Sequence, residues 1–330
     1  MHIPDGFLDA PTAIAGGVLA AAGLGLALRT VRRTLPHRAV PLIGVAAAFI
    51  FAAQMLNFPV AGGTSGHLIG AVLAAVLLGP SAAVLVMSSV LILQAFLFAD
   101  GGITALGANI FNMALLAPLL GYVLYRGVSR LLGGDLRARL AGVAFGAWCS
   151  TVAAAVSVAG QLALSGTVAW EVAFPAMAGV HMLIGVGEAL ITTLVVAVVA
   201  TARPELLFDR AGSGERTGRT LAGYGMLVAL GLVVFIAPMA SEWPDGLEAV
   251  AARLGFAHKA AASPIASSPL ADYTLAGIRS PAASTVIAGG IGTVVAFAMA
   301  YLLSLALVPR GAVGPGQPQG SAHNRAPRSS

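Results

Sequence analysis

Long apolar runs separated by short polar turns dominate this chain. Nine runs stand out, near residues 11–31, 40–56, 67–80, 81–98, 107–125, 140–164, 176–200, 221–240 and 284–308. About 20 mostly apolar residues suffice to span hydrocarbon as a helix. The pattern therefore predicts an all-α, polytopic membrane bundle. The third run is short and is expected to be tilted, kinked or partly re-entrant. Polar residues 201–220 interrupt the series and read as a linker. The division predicted is a core of about seven segments over 1–200, that linker, and a two-helix module over 221–308. The module encloses a loop at 241–283. The last stretch, 309–330, is rich in Pro, Gly and Ser and is expected to be disordered.

Composition agrees. Hydrophobic residues make up 58% of the chain and charged residues 9%, against roughly 25% charged in soluble domains. The net charge of +5 could suggest nucleic acid, but the cations form no single patch. Fifteen of the eighteen lie on one set of loops: Arg29, Arg32, Arg33 and Arg38; Arg126, Arg130, Arg137 and Arg139; Arg203, Arg210, Arg216 and Arg219; Arg310, Arg325 and Arg328. Only Arg253, Lys259 and Arg279 fall on the other side. Positive-inside bias then predicts an N-terminus outside and a C-terminus in the cytoplasm. The single cysteine, Cys149, excludes a disulfide framework and any CxxC metal site.

The polar exceptions carry the chemistry. The chain opens Met1-His2-Ile3-Pro4-Asp5-Gly6-Phe7-Leu8, which lacks the basic and apolar regions of a signal peptide. The expectation is that Met1 is retained with a free amine. Amine, His2 amide and His2 ring nitrogen can close two fused chelate rings, an in-plane set suited to Ni(II) or Cu(II). Otherwise a terminal dipeptide is simply frayed. The Gly-rich loop Asn57 to His67 cannot be an ordinary helix interior and ends on His67, placed at the start of a helix. An intramembrane histidine is a functional candidate by default. The loop lacks GxxxxGK[ST], and the sole lysine is Lys259, so the chain is no P-loop ATPase.

Gln94, Asn109 and Asn112 border a third polar turn. Asn109 and Asn112 are three apart and share a helix face. These amides could orient metal-bound histidines or glue helices together. Asp100, before Gly101-Gly102, reads as a turn former. His181 and Glu188 are seven apart on one face of a further run. The spacing is not HExxH. Glu188 could couple to a partner or make a structural polar contact.

Together these residues resemble the CbiM/NikM family, substrate-binding membrane subunits of cobalt and nickel energy-coupling-factor transporters. The match rests on the opening octapeptide, Gly62 to His67, Gln94 to Met113, and His181 to Glu188, and covers about residues 1–200. Trp243-Pro244-Asp245-Gly246-Leu247-Glu248 resembles the PDGLE domain of the small accessory subunit, and Asp245-Gly246 otherwise reads as a turn ahead of a helix. The resemblance implies Ni(II) or Co(II) as transported substrate, held by the Met1 amine, the His2 amide and imidazole, and the His67 imidazole. Thr64, Ser65, Asn109 and Asn112 would support that set, with Gln94, His181 and Glu188 further out. It implies a bacterial or archaeal cell membrane, a separate transmembrane coupling subunit and cytoplasmic ATP-binding-cassette ATPases, with no nucleic-acid partner. Rival readings are an ATP-independent secondary transporter or channel, for which no inverted repeat is visible, an intramembrane metalloenzyme, for which no three-ligand motif with a general base is found, and a structural scaffold.

Overall fold

A computed structural model of the protein describes residues 1–208, 218–262 and 268–308. The tail at 309–330 and residues 209–217 of the linker lie outside the described residues. Among the described residues the regular structure is helical apart from one short antiparallel pair, β1 (Phe58–Pro59) and β2 (Ser65–Gly66). The helices are α1 (Ala10–Thr34), α2 (Val40–Gln54), α3 (Ala71–Leu78) and α4 (Pro80–Leu93). Next come α5 (Leu106–Asn109), α6 (Ala117–Leu131), α7 (Leu136–Leu164) and α8 (Trp170–Ala202). The series ends with α9 (Gly218–Gly231), α10 (Gly246–Leu254) and α11 (Pro281–Leu307). Seven of the nine apolar runs become helices long and apolar enough to cross a membrane, and Val40–Gln54 is a shorter apolar helix.

The remaining run is α3, eight residues long and almost entirely buried. Glycines at positive φ bound it, Gly70 at 75° and Gly79 at 86°. Both conformations suit glycine and strain other residues, so the run is cut short at both ends. His67 lies four positions before the first residue of this helix rather than at its start. Elsewhere the helices begin where the sequence supplies acceptors. Asp9 accepts from Thr12 N at 3.0 Å and Asp135 from Ala138 N at 2.7 Å, each satisfying an orphan donor of a first turn.

Three stretches of wider π-helix interrupt the pattern, at Gln94–Phe98, Ile110–Leu116 and Leu232–Ile236. The first two flank the turn containing Asp100. α9 and α11 pack on α2, where small residues allow close approach: the Phe297 ring lies over Gly44, and Phe51 over Gly292. α8 shows the division expected in a membrane. Leu183, Val186, Leu190, Leu194 and Val198 are exposed, while His181, Glu188 and Thr192 are buried. These polar groups therefore face protein, and an apolar stripe of the same helix faces outward.

Candidate metal centre

The first residues are not frayed. Met1 is 4% exposed, His2 9% and Ile3 0%. Burial of Ile3 and Phe7 in the main core anchors the segment, and its backbone groups are met one by one. Ile3 N donates to Asn109 Oδ1 at 2.8 Å, and Asn109 Nδ2 donates back to Ile3 O at 3.0 Å. Gly102 N also donates to Ile3 O, at 2.8 Å. Asp5 accepts from Thr104 N at 2.7 Å and Ile103 N at 3.2 Å. Gly102 is needed here because any Cβ would strike the Pro4–Asp5 backbone. The result is a rigid plug with its amine inside the protein.

That amine lies 3.1 Å from His67 Nε2. The other ring nitrogen, Nδ1, donates to Leu68 O at 3.1 Å. This fixes the tautomer in which Nε2 carries a lone pair aimed at the amine, the arrangement typical of a metal-ligating histidine. The His2 ring stacks on His67 with centroids 5.2 Å apart and planes 17° apart. His2 Nδ1 faces Asp100 Oδ1 at 3.0 Å. Only Nδ1 can close a chelate ring with the His2 amide, because the path through Cα, Cβ and Cγ is too short to bring Nε2 round.

Two carboxylates balance the charge. The Met1 ammonium forms a salt bridge with Asp245 Oδ2. Asp245 Oδ1 meanwhile caps α10, accepting from Leu247 N at 2.8 Å and Glu248 N at 2.9 Å, while Glu248 accepts from Asp245 N at 2.9 Å. This reciprocal capping box holds the acid in place. Burial, the largest single influence, would raise Asp245, but the Met1 ammonium, His67 and the hydrogen bond from Glu248 N together outweigh it and keep the carboxyl below the ordinary carboxylate range. Asp100 behaves likewise: burial opposes, yet His2 and the Tyr273 hydroxyl, which donates at 2.7 Å, hold it down. Burial first, then the Met1 ammonium, pushes His67 down to about 3.

The supporting residues separate into groups. Ser65 Oγ donates to Trp243 O at 2.6 Å and Ser65 N to Pro244 O at 2.8 Å, tying the His67 loop to the segment before Asp245. Thr64 Oγ1 receives a long contact from Arg253 Nη2, at 3.4 Å. Asn109 holds the N-terminal backbone. Asn112 does not reach the histidines: its Oδ1 accepts from Ser157 Oγ at 2.7 Å and Gln161 Nε2 at 3.0 Å on α7. The π-helical stretch begins at Ile110 and turns the two asparagines to different partners. Gln94 donates to Tyr273 OH at 3.3 Å, so it touches the site only through Asp100's partner. Glu188 accepts from Ile69 N at 2.5 Å and Gly70 N at 2.9 Å, just beyond His67. His181 donates from Nδ1 to Met177 O at 2.8 Å.

Asp100, read from sequence as a turn former, is an anionic partner of His2. Asp245 caps a helix as its sequence suggested, and in addition meets the amine 244 positions earlier. Among the described residues no group of three or more His, Cys, Asp or Glu side chains is placed to hold a metal ion. What distinguishes this place is the convergence of main-chain and imidazole nitrogens.

The chain is similar to known proteins along most of its length. The family model for the cobalt uptake substrate-specific transmembrane region, CbiM, matches residues 2–206, and the PDGLE domain model matches 219–308. A protein of Archaeoglobus fulgidus, provisionally assigned as a fused nickel transport protein NikMN, is 38% identical over 306 residues, covering 92% of this chain and 98% of its own. A Haloquadratum walsbyi protein provisionally assigned to metal transport is 43% identical over 212 residues, 64% of this chain and 94% of its own. A crystal structure of a truncated transition metal transporter superposes with a TM-score of 0.56 at 37% identity, covering 61% of this chain and 99% of that one. The chain is a membrane protein of the nickel/cobalt transport class, and it belongs to the CbiM family with a PDGLE domain following the family's transmembrane region.

Proposed function

We propose that this protein captures Ni(II) or Co(II) at the outer face of the membrane, as the substrate-specific subunit of an ATP-driven transporter. The donors are the Met1 amine, the His2 amide, His2 Nδ1 and His67 Nε2. The observation that carries this reading is the 3.1 Å approach of the Met1 amine to the lone pair of His67. Such a set of nitrogens suits planar or tetragonal ligation. The relatives' names supply the cargo: nickel for the fused protein of A. fulgidus, cobalt for the family model.

Loading exchanges partners. The ammonium gives up a proton and leaves Asp245, while the His2 ring turns Nδ1 from Asp100 toward the ion. The arriving cation takes over the positive charge that the two carboxylates balanced. Amide deprotonation removes a further charge, so the bound complex is less costly to hold in a buried site than a bare dication. Protons compete for these nitrogens, so affinity falls as pH drops.

The arginine bias over the loops supports an external N-terminus. The missing P-loop lysine supports separate ATPase subunits of the ATP-binding-cassette type, joined through a transmembrane coupling subunit. The division proposed is a metal-binding core over 1–200, a cytoplasmic linker at 201–220, a PDGLE module over 221–308 and a cytoplasmic tail at 309–330.

The deciding experiment compares Ni(II) and Co(II) binding by the native chain with binding by a chain carrying Gly-Ser before Met1. An added residue converts the amine into an amide and displaces the plug. Binding is expected to be abolished while the helical signal by circular dichroism stays unchanged. Equal binding by both forms would exclude the amine as a ligand.

A further inference from the structure

His181 is a buried imidazole that the proposed donor set does not use. It is 1% exposed, and its Nδ1–H is committed to Met177 O at 2.8 Å. Its Nε2 therefore carries a lone pair, yet that nitrogen has no hydrogen-bond partner among the described residues. Buried polar atoms are nearly always paired, so the orphaned nitrogen calls for a reason. The Cε1–Nε2 edge of the ring faces Gly246: a Cβ on that glycine would sit 2.7 Å from Cε1 and 2.9 Å from Nε2. Gly246 follows Asp245, whose carboxylate holds the Met1 amine. The free nitrogen thus lies against Gly246, beside the Ile184 Cδ1 methyl that reaches the same glycine, and next to the backbone that borders the metal centre.

We propose that His181 is a further metal ligand, the membrane-side acceptor to which the ion passes from the Met1–His2–His67 set. This rests on the reading of that set as the capture site. As the ion gives up one donor of the capture set, His181 Nε2 supplies a replacement. The exchange needs no proton from His181, because the ring is already neutral with Nε2 free. Below it the buried face of α8 continues with polar groups. Glu188 lies seven residues on, about 10 Å along the axis. Thr192, one turn further, has an unpartnered Oγ1. An ion leaving along this face would meet a donor at each of these levels rather than bare hydrocarbon.

The test uses the full chain, Ni(II) alone, calorimetric affinity and the number of imidazoles bound, read by X-ray absorption. His181→Ala by itself is expected to leave equilibrium affinity within about threefold of the parent but to slow transfer of bound Ni(II) to a competing chelator by about tenfold. His67→Ala is expected to bind weakly with two imidazoles, His2 and His181. The double variant should drop to one imidazole and lose about tenfold more. Gly246→Ala, which keeps the imidazole but puts a methyl where its free edge and Ile184 Cδ1 now pack, should reproduce the slow transfer. If His67→Ala binds like the parent, the capture reading itself fails. If His67→Ala is weakened but the double variant matches it in affinity and imidazole count, His181 is not a ligand and only the present inference falls. Should alanine at 181 unfold the protein, His181→Gln and Gly246→Ala provide the same comparison, and unchanged transfer in both overturns the proposal.

Discussion

At the scale of single residues, Asp245 and the proposed cation compete for one amine. Asp245→Asn isolates that competition, because asparagine caps helices as well as aspartate but cannot pair with an ammonium. Removing one partner of a buried ion pair costs about 3–5 kcal/mol when the other stays charged, and less here because the amine can deprotonate. The metal-free variant should melt at a lower temperature than the parent, whereas the two should melt together in saturating Ni(II). A drop of the same size with and without metal would mean that Asp245 does not compete with the ion for the amine. His67 gives a pH signature. Its folded value lies at about 3, below the ordinary 6.5, so in that window the unfolded chain binds a proton that the folded chain refuses. Stability therefore falls as pH drops from 6.5 toward 3. Asp245 and Asp100, also held low, add their own loss only below about pH 4. His67→Ala should accordingly lose less stability than the parent between pH 6.5 and about 4.5, measured by thermal unfolding in detergent. Parallel curves would mean that this ring is protonated in the folded protein. Met1, His2 and His67 were legible in the sequence because adjacent backbone and imidazole nitrogens make a chelate by covalent geometry, and a histidine in a Gly-rich membrane loop stands out against its neighbours. The anions were not. Asp100 and Asp245 sit in sequences that also make ordinary turns and caps, and their second role comes from partners brought close only by folding.

Among the elements, the apolar runs were legible to within a few residues because hydrocarbon imposes length and composition at once. The interruptions were not, since a π-helical stretch has no separate hydrophobic signature. They decide where Asn109 and Asn112 point, and so separate one residue that holds the N-terminal plug from one that joins α7. The start of α3 was placed too early because Gly70, in left-handed conformation, sits between His67 and the first helical turn. Glu188 accepts the N–H groups of Ile69 and Gly70. It thereby fastens α3 and the end of the His67 loop to α8, the milder of the two roles its sequence allowed. Glu188→Ala strands two buried donors, each worth about 1–3 kcal/mol. The variant should melt well below the parent and bind Ni(II) more weakly, since His67 is two residues away from Ile69. Glu188→Gln, which keeps a carbonyl acceptor, should fall between. Unchanged affinity in a destabilised Glu188→Ala protein would show that the loop holds His67 without this anchor.

For the whole molecule, the question is why a second unit is carried on the same chain. The H. walsbyi relative matches 64% of this chain and 94% of its own length, so a relative with little beyond the matched part also exists. Here the segments around α10 and the following loop close over the site by main-chain bonds as well as by Asp245. Pro244 and Trp243 carbonyls receive Ser65, and Gly62 O accepts from Arg253 Nη2 at 2.6 Å. Ala261 N donates to Asp5 O at 2.8 Å, and Lys259 Nζ to Thr167 O at 3.1 Å. These contacts grip the His67 loop, the N-terminal plug and the α7–α8 turn together. A fold that holds three loops in this way lowers the conformational entropy lost when the ion binds. The cost is a covered entrance, so the same contacts should slow both capture and escape. A core of residues 1–208 produced without the remainder should therefore show faster amide exchange at residues 57–67 and at the first residues of the chain. It should also release Ni(II) to a chelator faster than the full protein. Adding residues 218–330 as a separate chain should restore protection if packing of α9 and α11 against α2 suffices for assembly. Equal exchange and equal release with and without the second unit would limit the module to a role away from the metal, and the bonds from Asp245 and Trp243 would then be incidental to capture.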